Sequence, residues 1–144
     1  MITTGVSTDL YAEVLQFYAR QMQALDGGDF QAYADSFTDD GEFTHSPGLP
    51  PARTRAGIAA ELTEFHRRRF SGTPVQRRHW FNHVVLDHRL DGGIDSTSYA
   101  LVLTVHPGQK QPEIGPSCVV RDVLVRVDGD LRLASRRVDH DQDR

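Results

Sequence analysis

The chain has 144 residues, 38% of them hydrophobic and 25% charged, and a formal net charge of −4. That length suits one domain around one core, and an acidic balance with no long run of one sign argues against a nucleic-acid-binding face. The lone cysteine, Cys118, excludes an internal disulfide framework and suits a reducing cytoplasm, while no stretch approaches the ~18 apolar residues of a membrane span and no signal-peptide pattern is visible.

Residues 1–6 carry no periodic signal. From about Ser7, the apolar residues Leu10, Val14, Phe17, Met22 and Leu25 fall on one helical face, and Gly27-Gly28 predicts the stop. Asp29 predicts the cap of a short second helix carrying Phe30, Tyr33 and Phe37. Thr38-Asp39-Asp40-Gly41 reads as a turn, Glu42 to His45 as a short strand, and Ser46 to Pro51 as a loop. Thr54 opens a third helix with Ile58, Leu62 and Phe65 on its buried face, and Ser71-Gly72-Thr73-Pro74 stops it. The period then changes to two, predicting strands from Val75 to His88, Ile94 to His106, Ser117 to Val127 and Leu131 to Asp139. They are joined by an Asp91-Gly92-Gly93 hairpin turn, a loop from Pro107 to Pro116, and an Asp128-Gly129 turn. The polar end from Asp139 to Arg144 is expected to fray, leaving an ordered core over about 7–139 of a single domain, 1–144.

Helices in the first half and antiparallel strands in the second make an α+β fold. A long, strongly twisted sheet curls, here into a cone around three helices, with a pocket between its concave face and the helices.

This order resembles the nuclear-transport-factor-2-like superfamily and, more narrowly, its SnoaL-like branch of polyketide cyclases, scytalone dehydratase, bile-acid dehydratase and dioxygenase β subunits. The likeness rests on Ala24-Leu25-Asp26-Gly27-Gly28-Asp29-Phe30 leading to Phe37-Thr38-Asp39-Asp40-Gly41-Glu42-Phe43, on Arg78-His79-Trp80-Phe81-Asn82-His83, and on the closing hairpin from Val123 to Arg137. It implies a pocket aspartate at Asp26 working with a pocket histidine at His79, with Asn82 close by. Where scytalone dehydratase has a pocket tyrosine this chain carries His45, a departure that separates it from that enzyme's specific reaction. The dehydratases' second pocket histidine would fall near Thr104 to His106. Many members dimerise through the open face of the sheet, which implies a homodimer.

An imidazole can take and return a proton near neutral pH, and a carboxylate in reach fixes its tautomer. Asp26 and His79 are therefore the expected acid/base pair, with the start of the Gly-Gly turn as the bland reading of Asp26. In a regular strand His83 shares the face of His79 and Phe81, unless a bulge shifts the register. His45 is the fourth catalytic candidate. Candidate substrate contacts are Tyr18, Tyr33, Phe37, Phe43, Phe81, Asn82, Tyr99 and an inward Arg121. The basic residues Arg67, Arg68, Arg69, Arg77 and Arg78 read as solvated helix-end and strand-start charges, or as contacts to an anionic substrate tail. One metal ion cannot be held by His79, His83 and Asp87, since even His79 and His83 lie about 13 Å apart on an extended strand.

The expectation is a cofactor-free enzyme that cyclises, dehydrates or isomerises a hydrophobic, polyketide-like small molecule. Two other readings stand beside it: a non-catalytic binding or assembly subunit with a filled cone, and a pericyclic cyclase that only folds its substrate.

Overall fold

The computed structural model describes residues 5–45 and 50–142. Three helices, α1 (Thr8–Asp26), α2 (Phe30–Asp35) and α3 (Thr54–Phe70), pack on strands β1 (Phe37–His45), β2 (Ala52–Arg53), β3 (Gln76–His88), β4 (Ile94–Val105), β5 (Glu113–Val127) and β6 (Asp130–His140). The helix starts follow from side-chain caps. Ser7 Oγ accepts the Leu10 N–H at 3.1 Å, an Asp29 carboxylate oxygen accepts that of Ala32 at 3.0 Å, and Thr54 Oγ1 accepts that of Gly57 at 3.2 Å. After α3, Ser71 and Gly72 take positive φ and end the helix at the expected place.

The strands form one curved, unclosed six-stranded sheet in the order β2-β1-β6-β5-β4-β3. Only β1 and β6 run parallel, so the sheet is mixed rather than wholly antiparallel. Phe37 pairs with Leu133 and so belongs to β1, not to the second helix. The turn residues Thr38 to Gly41 are an excursion within that strand before pairing resumes at Glu42 with Ser135. Gly41 permits this excursion, since a Cβ there would sit 2.9 Å from the Cβ of Phe37. The fifth strand starts at Glu113, earlier than Ser117, because pairing slips past Pro116, which has no N–H to give the ladder. The polar end holds its strand through His140, paired with Cys118, and Asp141 N–H donates to Ser117 O at 2.9 Å, so fraying does not begin at Asp139. Residues 1–4, 46–49, 143 and 144 lie outside the described residues, and with them most of the loop expected from Ser46 to Pro51.

Two bulges decide which side chains face the helices. On β3, Asn82 pairs with Tyr99 but Val85 with Thr97, so β3 carries one extra residue, and His83 takes φ 53°. Arg77, His79 and Phe81 point inward before the bulge, and Val84 and Leu86 after it. On β6, Leu133 pairs with Leu124 and Ser135 with Val123, making Ala134 the extra residue. Inward parity thereby passes from Leu131 and Leu133 to Arg136 and Val138.

The inward shift of Arg136 builds a charged centre in the core. Its guanidinium binds both carboxylate oxygens of Asp122 at 2.9 Å, and the two side chains are 1% and 0% exposed. Tyr33 Oη accepts from Arg136 at 3.1 Å, and Tyr18 Oη lies 2.6 Å from Asp122 and 2.7 Å from Ser96 Oγ. Rings of Tyr18, Tyr33 and Phe81 face the guanidinium. Burial alone would lower the pKa of Arg136, but Asp122 and the tyrosine hydroxyls outweigh it and raise it.

Candidate active site

Strand β3 is a free edge of the sheet, and α1 lies against it. An edge strand leaves backbone groups in need of partners. Helix α1 supplies two: Tyr11 Oη donates to Val84 O at 2.7 Å, and the carboxylate of Asp26 accepts the His79 N–H at 3.2 Å. Asp26 is the last residue of α1, placed there by the Gly27-Gly28 stop.

The same carboxylate meets the His79 ring, with Asp26 Oδ1 to His79 Nδ1 at 2.5 Å. A carboxylate accepts, so Nδ1 carries the proton and Nε2 is left as the basic nitrogen. Among the described residues no protein group takes that Nε2. The pair is partly open, with side-chain exposures of 15% for His79 and 11% for Asp26. His79 lies on the wall of a crevice of about 470 Å³ between α1 and β3, lined also by Leu15, Tyr18, Ala19, Met22, Phe81 and Val84, with Trp80 and Asn82. That volume is in the range of small-molecule sites.

Imidazoles and aromatic rings gather beside the dyad. His45 ends β1, its ring 5.0 Å from that of His140 and perpendicular to it, 5.8 Å from Phe43 and 6.4 Å from Phe65. Its pKa is pushed down to about 4, first by burial and then by the positive fields of His140, Arg77 and His79. His45 is therefore neutral at pH 7. His66 of α3 packs between Phe30 at 4.7 Å and Phe70 at 5.3 Å, and burial again leads in lowering its pKa. Arg77 lies over the rings of Phe65 and Phe70, and its Nε donates to Thr104 Oγ1 at 3.4 Å.

The structure brings together part of the expected set. Asp26 and His79 touch, His45 lies near them, and Tyr18, Phe81 and Asn82 line the crevice. Phe43 packs against His45 from the core side. The other expected contacts need correction. Tyr33 and Phe37 are 2% and 0% exposed and belong to the sealed core, the Tyr33 hydroxyl being engaged by Arg136. His83 is turned out by the β3 bulge and meets Tyr99, 58% exposed, on the outer face at a ring distance of 5.7 Å. Arg121 also faces outward, paired with Asp139 at 3.2 Å, because β5 parity turns Val120 and Asp122 inward. The Tyr18 hydroxyl is spent on Asp122 and Ser96.

Sequence reasoning missed His66 and His140 at the site and Asp122 and Arg136 in the core. The signal for His140 was its parity with Val138 on β6; for Asp122, a carboxylate between the inward Val120 and Leu124.

The SnoaL-like domain family matches residues 6–137 of the chain. Among solved structures, ActVI-ORFA from Streptomyces coelicolor is 61% identical over 93% of this chain and 98% of its own, with a TM-score of 0.88. A protein from Catenulispora acidiphila, solved in complex with S-DNPA, is 51% identical over 94% of this chain and 96% of its own, with a TM-score of 0.85. An NTF2-like protein with a cystatin-like fold from Novosphingobium aromaticivorans is 21% identical over 92% of this chain and 82% of its own, at a TM-score of 0.75, a likeness of fold. No curated protein matches the chain.

Proposed function

The chain belongs to the SnoaL-like family, with the NTF2-like fold, and from that premise we propose that it cyclises, dehydrates or isomerises a polycyclic, polyketide-like intermediate by proton transfer, without a cofactor. The observation that carries this reading is the 2.5 Å bond between Asp26 and His79 Nδ1, with the other ring nitrogen unengaged on a crevice wall. Nε2 takes a proton from carbon next to a substrate carbonyl. Asp26 holds the ring in that tautomer and stabilises the imidazolium that forms. The neutral His45 donates an N–H to the enolate oxygen. Phe81 and the ring of Tyr18 hold the flat substrate and exclude water.

A small-molecule substrate is supported by the Catenulispora relative in complex with S-DNPA. S-DNPA is accordingly the first ligand to test here. Trp80, the sole tryptophan, borders the crevice, so its fluorescence should report binding. Turnover of candidate polyketide intermediates, followed by mass spectrometry, should fall by about 10²-fold or more in His79→Ala. A folded His79→Ala protein with unimpaired turnover would sink the proton-transfer reading.

The sealed packing of Tyr33, Phe37 and Arg136 favours a second reading, a binding or assembly subunit, since these side chains fill the centre of the interior. That reading expects S-DNPA binding and no turnover in any variant. Exposed Trp80, Val85, Tyr99 and Ile114 support a homodimer formed through the outer face of the sheet, which light scattering would test. The single buried thiol, Cys118, fits residence in the cytoplasm.

A further inference from the structure

Along β3 the main-chain groups of alternate residues point away from β4, toward the free edge of the sheet. The partners found at that edge show which residues these are. His79 N–H goes to the Asp26 carboxylate at 3.2 Å, and Arg77 O accepts from the Arg78 guanidinium at 2.9 Å. Neither bond belongs to the β3–β4 ladder. Arg77, His79 and Phe81 therefore turn their N–H and C=O to the edge, while Trp80 and Asn82 bond their opposite residues Leu101 and Tyr99 on β4. The bulge at His83 shifts this phase by one residue. Val84 O accordingly faces the edge and accepts from the Tyr11 hydroxyl at 2.7 Å.

Helix α1 thus serves the edge at His79 and at Val84, and the crevice lies between α1 and this stretch of β3. Phe81 falls in the interval and lines the crevice. Its N–H and C=O look toward α1, which contributes the apolar Leu15, Ala19 and Met22 to the lining. The hydroxyl of Tyr18, also in the lining, is spent on Asp122 and Ser96. Among the described residues no side chain bonds either main-chain group of Phe81. A main-chain donor and acceptor need partners, and in an open crevice those are solvent or a ligand. A few fixed polar groups in an apolar wall are what orients a molecule in such a pocket.

We infer that the main chain of Phe81 is a ligand-binding group of the crevice, its N–H donating to a carbonyl oxygen of the bound molecule and its C=O accepting from a hydroxyl. This rests on reading the crevice as a small-molecule pocket. The ladder bonds of Trp80 and Asn82 on either side hold the Phe81 peptide groups in place before any ligand arrives. Phe81 lies two residues from His79, about 7 Å between Cα atoms. An oxygen held at Phe81 N–H therefore fixes where along β3 the molecule lies relative to His79 Nε2. In this role Phe81 positions the substrate, and proton transfer stays with His79.

The test is amide NMR on the isotope-labelled full chain with two probes of similar shape, 2-acetylnaphthalene and 2-ethylnaphthalene, of which only the ketone can accept a hydrogen bond. Without a probe, the Phe81 amide should exchange with solvent about tenfold or more faster than those of Trp80 and Asn82. The ketone should move the Phe81 amide proton downfield and slow its exchange about tenfold. The hydrocarbon should perturb the Ala19 and Met22 methyl signals, as the ketone does, without the downfield shift at Phe81. A Phe81 amide as protected as its neighbours in the free chain would overturn the inference and leave the pocket reading standing. So would a ketone that perturbs Ala19 and Met22 but not the Phe81 amide, or a hydrocarbon that shifts that amide equally. Failure of both probes to perturb Ala19 or Met22 would overturn both readings. The wild-type chain suffices throughout, so no outcome depends on the folding of a variant.

Discussion

Asp122 lies at the centre of the inner face and Asp26 at its free edge. Both carboxylates meet a nitrogen group on the sheet, at 2.9 Å for Arg136 and 2.5 Å for His79. At the centre the protein supplies every partner: two guanidinium bonds and the Tyr18 hydroxyl fill Asp122, and nothing is left to offer a ligand. At the edge Asp26 spends itself on one backbone N–H and one ring nitrogen, and the opposite side of that ring borders a crevice. Burial follows the same division, with side-chain exposures of 1% and 0% for the inner pair against 15% and 11% for the outer. The closed arrangement fixes packing. The open one retains a group for proton transfer.

Breaking the centre should have the largest effect. Asp122→Asn leaves the Arg136 charge buried without compensation, and unfolding in urea should register a loss of about 3–5 kcal/mol. Asp26→Asn should do the converse. Its amide oxygen can still accept the His79 backbone N–H, so stability changes by less than about 1 kcal/mol. Its N–H₂, turned to Nδ1, would force the wrong tautomer on the ring, and turnover should fall by about 10²-fold or more. If urea and turnover assays gave both variants the same profile, the division between structural and chemical carboxylate would fail.

The helices, their caps and the hairpin turns were legible because each is written in a few adjacent residues: Ser7, Asp29 and Thr54 at starts, Gly27-Gly28 and Ser71-Gly72 at stops. The Asp26–His79 meeting was legible only through family resemblance, since nothing local in either segment dictates that α1 should cover the β3 edge. What parity counting could not reveal were the bulges. One extra residue on β3 sends His83 out, and one on β6 brings Arg136 in. Both reverse an alternation that otherwise looks regular. Tyr33 and Phe37 were assigned to the pocket as aromatic residues, whereas the need to pack around Arg136 draws Tyr33 into the core.

A smaller effect should come from pH and would locate it on the open side. His45 has its pKa lowered from 6.5 to about 4, so the folded chain refuses a proton that the unfolded chain accepts between those values. The stability it contributes is therefore complete above pH 6.5 and is lost as pH falls toward 4. At pH 5 the loss relative to pH 7 is about 2 kcal/mol. The groups whose fields act on it are His140, Arg77 and His79. Urea unfolding at the two pH values should show this sensitivity in the wild type and much less of it in His45→Gln. An equal loss in both proteins would assign the acid sensitivity elsewhere.

Tyr18 belongs to both regions, since its ring lines the crevice and its hydroxyl serves the buried carboxylate. Burial, and after it the charge of Asp122, raises the hydroxyl pKa above the ordinary phenol value, so the proton stays where it is. On that account Tyr18 is no acid for the substrate. Tyr18→Phe should cost about 1 kcal/mol, the worth of one hydrogen bond, with the ring wall intact. Turnover should stay close to wild type, because the hydroxyl takes no part in the proton path. A fall of about 10²-fold in turnover at unchanged stability would instead carry Tyr18 across the boundary into the chemistry, and would mean that the buried carboxylate acts on the reaction through it.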